Sequence, residues 1–295
     1  MKNKGYEGYL FITPILLLFC IFVIYPIVYN INVSFYEWNG ISIDRTFVGT
    51  QNYISLMEDP VLMRILRNFA LFSIFTILTQ AFIGIILAQF LIRHIPLSNL
   101  YRTLFYLPAV ATPTIIGNIY ARILEANFGN LNVFLRSVGL DALAQPWLAD
   151  PRLALWVIIY INIWRWTGYS MLLYYANMLN IPEDLYESAT IDGAGRFQQF
   201  TRITFPLLRN THFTLFVLGA IGALSTFDLP FILTDGGPNH ATEFFSTYIF
   251  RHSFRLFQQG MSSTIVIFML VIALVITAAQ MKLYFYKDKD KELAG

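Results

Sequence analysis

The side chains able to do chemistry in this chain sit inside apolar stretches. One stretch carries Asn162, Trp164, Arg165, Trp166 and Tyr169, and a later one carries Ser225, Thr226 and Asp228. Hydrogen-bonding groups and a cation among apolar neighbours suit a polar path for a solute. The competing reading is a set of interhelical hydrogen bonds that only hold a bundle together. A cation near the midplane of a bilayer costs at least about 2.5 kcal/mol, so Arg165 requires a partner or an aqueous cavity. Asp228 is the candidate partner, and a plain ion pair between the two would be structural. Nothing points to catalysis. His94, His212, His240 and His252 lie outside the apolar cores without H-E-x-x-H spacing, and no nucleophile–base pair is visible. The single cysteine, Cys20, excludes a disulfide framework and a multi-cysteine metal site. Lys2, Lys4, Lys282, Lys287, Lys289 and Lys291 all lie near the ends, and no Gly-Lys-Ser/Thr occurs. A phosphate-binding loop is therefore missing, and the chain does not hydrolyse ATP itself. No catalytic residue, metal or cofactor is expected.

The elements that position these residues must lie in a membrane. The 295 residues are 56% hydrophobic and 13% charged, with a mean hydropathy of +0.56. An ordinary soluble domain carries about 25% charge, and disorder needs low hydrophobicity, so both classes are excluded. A net charge of +2 excludes nucleic-acid binding driven by phosphate neutralisation. About 20 apolar residues span a bilayer core as a helix. Six stretches qualify: 9–33, 69–92, 104–124, 153–178, 213–233 and 263–285. The first follows Lys2 and Lys4 as a signal peptide would, but its run is too long and 24–29 offers no small-residue cleavage site. It reads as a retained span. The third contains Pro108, Pro113, Gly117 and Asn118, which predict a kinked or broken helix beside a cavity. Six spans put both termini on one side. With the termini inside, inner segments hold 11 Lys/Arg over about 63 residues and outer segments hold eight over about 92, which favours cytoplasmic termini.

The longest inner segment, 179–212, predicts two short helices. Asn180 caps the first, with Glu183 at the reciprocal position and Pro182 in the first turn. Asp192-Gly193 makes a turn, because glycine accepts positive φ. A second, amphipathic helix runs over 194–203 with Phe197, Phe200 and Ile203 on one face, and ends near Thr204 before Phe205-Pro206. Aromatic residues shown to the cytosol want a groove on another protein, the alternative being a helix lying on lipid headgroups.

Glu187-Ser188-Ala189, Gly193, Ile203 and Phe205-Pro206 follow, interval for interval, the pattern E-A-A-x-x-x-G-x(9)-I-x-L-P. In this the chain resembles the inner-membrane permeases of ATP-binding cassette (ABC) importers, departing only at Ser188 for Ala and Phe205 for Leu. Thr234, Gly236, Gly237, Pro238 and Thr242 form T-x-G-G-P-x-x-x-T, similar to the maltose- and multiple-sugar-type first permease subunit. Arg102 to Pro108, R-T-L-F-Y-L-P, extends the likeness. The resemblance implies an all-α membrane protein: six transmembrane helices in the type I ABC importer permease fold, with a cytoplasmic coupling helix. Its expected parts are an N-terminal helix and first extracytoplasmic loop over 1–68, a permease core over 69–285 with the coupling loop at 179–212, and a cytoplasmic tail over 286–295. It implies a bacterial or archaeal plasma membrane and a set of partners: a second homologous permease, two cytoplasmic ATP-binding subunits, an extracytoplasmic solute-binding protein and a sugar substrate.

Sugars are recognised by planar hydrogen-bonding groups plus aromatic rings stacked on their C–H faces. The expected substrate-binding residues are Asn162, Arg165, Trp166, Tyr169, Gly222, Thr226 and Asp228. By alignment on the coupling motif, Asn162, Tyr169, Gly219, Gly222, Ala223 and Thr226 match positions lining the sugar site of maltose-type relatives. Glu187, Ala189, Asp192, Gly193, Phe197 and Phe200 are expected to couple to the ATPase. Arg165 raises an acidic saccharide or glycerol phosphate as an alternative substrate. An ion-coupled secondary transporter is a weaker alternative, since Asp228 is the one acidic residue well inside a span.

Overall fold

A computed structural model describes residues 5–92 and 96–292. Lys2, Lys4, His94 and positions 293–295 of the expected tail lie outside the described residues. The chain opens with α1 (Gly5–Phe19), a π turn (Cys20–Ile24) and α2 (Tyr25–Val33), followed by a two-residue hairpin of β1 (Tyr36–Glu37) and β2 (Thr46–Phe47). Then come α3 (Gln51–Glu58), α4 (Pro60–Leu91), α5 (Ser98–Val110), α6 (Pro113–Ile123), α7 (Asn130–Ser137) and α8 (Ala154–Met178). The second half holds α9 (Asp184–Ile191), α10 (Arg196–Gln199), a π turn (Phe200–Thr204), α11 (Phe205–Leu207) and α12 (Arg209–Leu224). It ends with α13 (Asp228–Thr234), α14 (Phe245–Phe250), a π turn (Arg251–Arg255) and α15 (Gln259–Glu292).

The residues group into two compact units, 1–63 with 245–274 and 64–244 with 275–295. In the first unit, Asn52 donates its side-chain amide to the Ser34 and Tyr36 carbonyls, and the Gln259 amide reaches the Trp38 carbonyl at 2.8 Å. Ser263 bonds Asn30, and the Tyr248 hydroxyl donates to Asp59. Side chains along Phe11–Val33 are almost all exposed, in keeping with a helix whose apolar surface faces lipid.

In the second unit α8 is the axis. Its early residues Leu155, Ile158 and Ile161 join Phe72, Ile116, Leu229 and Phe244 in one apolar cluster. Its late residues Met171, Tyr174 and Met178 join Ile85, Leu208 and Leu215 in another. The polar segment of α8 lies between the two. Burying a large apolar side chain contributes about 1.5–3 kcal/mol, so each cluster anchors one end of the helix and fixes the segment between them.

Three helical segments are long and apolar enough to cross a membrane on their own: Phe11–Val33, Pro60–Leu91 and Gln259–Lys282. Two bent pairs bring the number to at most five among the described residues. The fourth expected span, α8, has 25 residues, about 37 Å of helix, but falls short in apolarity. Asn162, Arg165 and its aromatic residues with polar tips lower it. Such a helix is tolerable where neighbours shield it, and its apolar ends are buried in the two clusters. The expected break in the third span is there: α5 and α6 meet at 89°, with Pro113 opening α6 and the Thr112 side chain capping it. The fifth expected span, 213–233, is interrupted at Ser225–Phe227, so α12 and α13 are separate helices.

The segment 179–212 differs from expectation in two places. Its first helix starts at Asp184 without a side-chain cap, and the Asn180 amide instead donates back to the Ala176 carbonyl at 3.2 Å. Asn180 is thus drawn into the end of α8. The second helix does not stop at Thr204. The π turn carries it into α11, with the Phe205 N–H bonded back to the Phe200 carbonyl and Pro206 next to it, and the bend of 61° comes at Leu208 instead.

Candidate functional site

A cavity of about 520 Å³ opens in the second unit, within the range of about 300–1,000 Å³ common for small-molecule sites. Its walls are α4, α8, α12 and the break that leads into α13. Asn162, Arg165, Trp166, Tyr169, Gly222, Thr226 and Asp228 all border it, as do Gly219 and Ala223. Helical spacing accounts for the α8 set. Residues 162, 165, 166 and 169 recur three and four apart and share one face.

The polar groups are differently occupied. Asn162 accepts the Gln80 amide through its side-chain oxygen at 3.0 Å and its backbone carbonyl at 3.2 Å. That leaves the Asn162 amide nitrogen as a donor toward the cavity. The Trp166 and Tyr169 rings meet edge to face, centroids 5.9 Å apart. Thr226 donates to the Gly222 carbonyl at 2.8 Å, which the end of α12 leaves open, and Ser225 donates its hydroxyl to the Ile221 carbonyl at 3.0 Å, which also accepts the Ser225 N–H. Both hydroxyls keep acceptor capacity.

Arg165 is not paired with Asp228, contrary to the sequence expectation. Its guanidinium lies 5.0 Å from the Trp166 ring centroid and donates to the Ala111 carbonyl at 3.4 Å. Ala111 follows the last residue of α5, so the broken third span presents an orphan carbonyl that draws the cation. Asp228 lies near enough to act on Arg165 electrostatically but forms no ion pair with it. The cavity therefore holds a donor pole and an acceptor pole that do not neutralise each other by contact.

The two glycines differ in kind. A Cβ on Gly219 would lie 2.5 Å from Ile77, whereas nothing stands within 4 Å of one on Gly222. Gly219 is small for packing, and Gly222 is small beside open space.

The loop over 179–212 is a second candidate surface. Gly193 has φ +77°, and Asp192 closes α9 just before it. Gln199 ties α10 back to α9 through Thr190 at 2.9 Å. Glu187, Asp192, Gly193 and Phe197 are exposed, Phe197 by 78%, while Ala189 is half-buried. Phe200 is turned partly inward and packs against the apolar cluster at the end of α8, so it does not share the open face of Phe197.

Sequence reasoning missed several residues. Gln80 and Thr76 line the cavity from α4, and a polar amide in an apolar run was a usable signal. The T-x-G-G-P-x-x-x-T segment reads as a bare turn, but it is a closed network. Thr234 and Thr242 share a 2.6 Å hydroxyl bond, and Thr242 also donates to the Gly237 carbonyl. Asn68 of α4 donates to the Ala241 and Glu243 carbonyls, both at 3.0 Å. Glu243 is fully buried with His240 at 2.8 Å, and a Cβ on Gly236 would press on its carboxylate at 2.7 Å. No pattern of residue types announces that the segment folds back on itself to bury the Glu243 carboxylate against its own His240 and Gly236.

Comparison with known proteins agrees with this architecture. A family model described as binding-protein-dependent transport system inner membrane component matches residues 80–284. The chain is 37% identical to the probable ABC transporter permease protein YurN of Bacillus subtilis, over 96% of this chain and 97% of that one. It is 30% identical to the lactose transport system permease protein LacF of Rhizobium radiobacter, over 97% of this chain and 95% of that one. Among solved structures, a chain of a bacterial alginate ABC transporter in complex with its alginate pentasaccharide-bound periplasmic protein superposes with a TM-score of 0.80. The two are 26% identical, and the match covers 94% of this chain and 93% of that one.

Proposed function

Because this chain belongs to the family of binding-protein-dependent transport system inner membrane components, a multi-pass membrane subunit of an ABC importer, we propose that it forms half of the translocation path for a saccharide. The other half comes from a second, homologous permease. Two cytoplasmic ATP-binding subunits drive the pair, and an extracytoplasmic solute-binding protein delivers the sugar. Both termini are cytoplasmic. The likeness to a lactose permease and to an alginate importer supports a sugar as substrate.

The observation that carries this reading is the single cavity bordered by Asn162, Arg165, Trp166, Tyr169, Gly222, Thr226 and Asp228. Two aromatic rings offer stacking faces, Arg165 and the Asn162 amide donate, and Asp228 accepts. A polyhydroxylated solute can satisfy all of these at once. Glu187, Ala189, Asp192, Gly193, Phe197 and Phe200 lie on the segment proposed to dock the ATPase. Closure of the ATPase pair displaces that segment and shifts the balance between inward- and outward-open forms, which requires contacts that differ between the two.

Uptake by proteoliposomes holding the whole transporter tests the reading. Transport should require ATP inside and the solute-binding protein outside. Asn162→Ala, Tyr169→Ala and Arg165→Gln should each lower it at least tenfold with assembly intact. Normal transport by all three would move the solute path away from α8. Uptake driven by an ion gradient without ATP would make the protein a secondary transporter.

A further inference from the structure

At its cytoplasmic end α8 packs against Leu208 and Phe200 of the proposed docking segment, and one histidine adds a hydrogen-bonded bridge between the two. The last carbonyls of a helix lack an intrahelical partner, and His212 supplies one to Phe205 of α11, with Nε2 donating to its oxygen at 3.1 Å. A carbonyl oxygen only accepts, so Nε2 carries the ring proton and Nδ1 of the neutral ring is an acceptor. Nδ1 meets the Tyr174 hydroxyl at 2.7 Å, and that phenol therefore donates. Tyr174 is 1% exposed and lies in the apolar cluster at the end of α8. The Phe205 ring packs on the same imidazole, centroids 4.5 Å apart, which gives the departure from leucine at this motif position a physical reason.

The line of contacts extends to α9. The Tyr186 hydroxyl and the buried Thr204 hydroxyl are 2.8 Å apart, and Thr204 directly precedes Phe205. All of these bonds surround Leu208, where the chain bends by 61°. The bend is the one joint between the exposed loop and the cavity-lining helix α12, and His212 spans it.

We propose that His212, through Tyr174, is a positioning residue of the transport cycle. It fixes the angle at Leu208 so that displacement of α9 and α10 moves α8, and with it Tyr169 and the cavity, as one body. The inference rests on the reading of 179–212 as the ATPase-docking loop. An imidazole suits the task because its donor and acceptor lie on opposite sides of a rigid ring. Glutamine also carries a donor and an acceptor, but close together at the end of a flexible chain, so it does not hold both partners at the fixed separation of the imidazole.

The test uses the assembled transporter on a Cys20→Ala background with Gly222→Cys as a cavity reporter. The rate of labelling by a small cationic thiol reagent is compared between nucleotide-free and ATP–vanadate-trapped states. With Tyr174 and His212 intact, the rate should change at least tenfold. Tyr174→Phe and His212→Gln should each reduce that change to under threefold, with ATP hydrolysis and assembly retained. The double variant should be no worse than His212→Gln alone, because both changes remove the same Tyr174–His212 bond. A tenfold change persisting in both variants would overturn the inference and leave the transport reading intact. Loss of assembly and hydrolysis in both variants together would reduce the bridge to a structural role and overturn it too. If the intact bridge shows no nucleotide-dependent change, the docking reading itself fails and takes the inference with it.

Discussion

Gly219 and Gly222 lie in one cavity wall and should respond oppositely to a side chain. On Gly219 a methyl would collide with Ile77, so Gly219→Ala should destabilise by about 1–3 kcal/mol, read as a lower thermal midpoint of the purified protein. On Gly222 there is room, so Gly222→Ala should unfold as the parent does, while Gly222→Trp should keep the fold and lower uptake at least tenfold by filling the cavity. Equal thermal midpoints for the two alanine variants would contradict the packing. Residue types alone could not separate these glycines. Both read as small residues on one helix face, and only the position of Ile77, brought in from α4, distinguishes them.

At the scale of elements, the loop over 179–212 divides its aromatic residues between two tasks. Phe197 points outward and Phe200 inward. Phe197→Ala should leave stability within about 0.5 kcal/mol, as for surface changes, and lower transport-coupled hydrolysis. Phe200→Ala should cost about 2 kcal/mol, less than a fully buried phenylalanine, and its thermal midpoint checks this. Gly193→Val places a β-branched residue at φ +77° and should destabilise the turn by about 1–2 kcal/mol and weaken ATPase association in pull-down. A pull-down equal to that of the parent would detach the turn from docking. The segment 234–243 is held to α4 by Asn68. Asn68→Leu leaves two carbonyls without their donor, and hydrogen exchange over 236–243 should rise sharply. Unchanged exchange there would mean that the loop holds without α4.

For the molecule as a whole, cysteines introduced by Asn39→Cys and Gln198→Cys in a Cys20→Ala background should label from opposite sides with an impermeant reagent. Labelling of both from outside would overturn cytoplasmic termini and the ATPase contact together. Apolar length, the proline break of the third span and the Asp192-Gly193 turn were legible in the sequence because each is set by local chemistry: transfer of side chains to lipid, a missing N–H, a positive φ. The same holds for the α8 part of the cavity lining, since polar groups in apolar helices have few places to go and helical spacing puts 162, 165, 166 and 169 on one face. Other features were decided by groups distant in sequence. Arg165 turned from Asp228 to the orphan Ala111 carbonyl, and Asn180 turned from capping α9 to the end of α8. Phe200 left the face of Phe197 for the protein's own core, and His212 became a bridge between Phe205 and Tyr174. A sequence shows which donors and acceptors a chain has. Which of them meet depends on where α4, α5, α8 and α12 come to rest, and only their packing determines that.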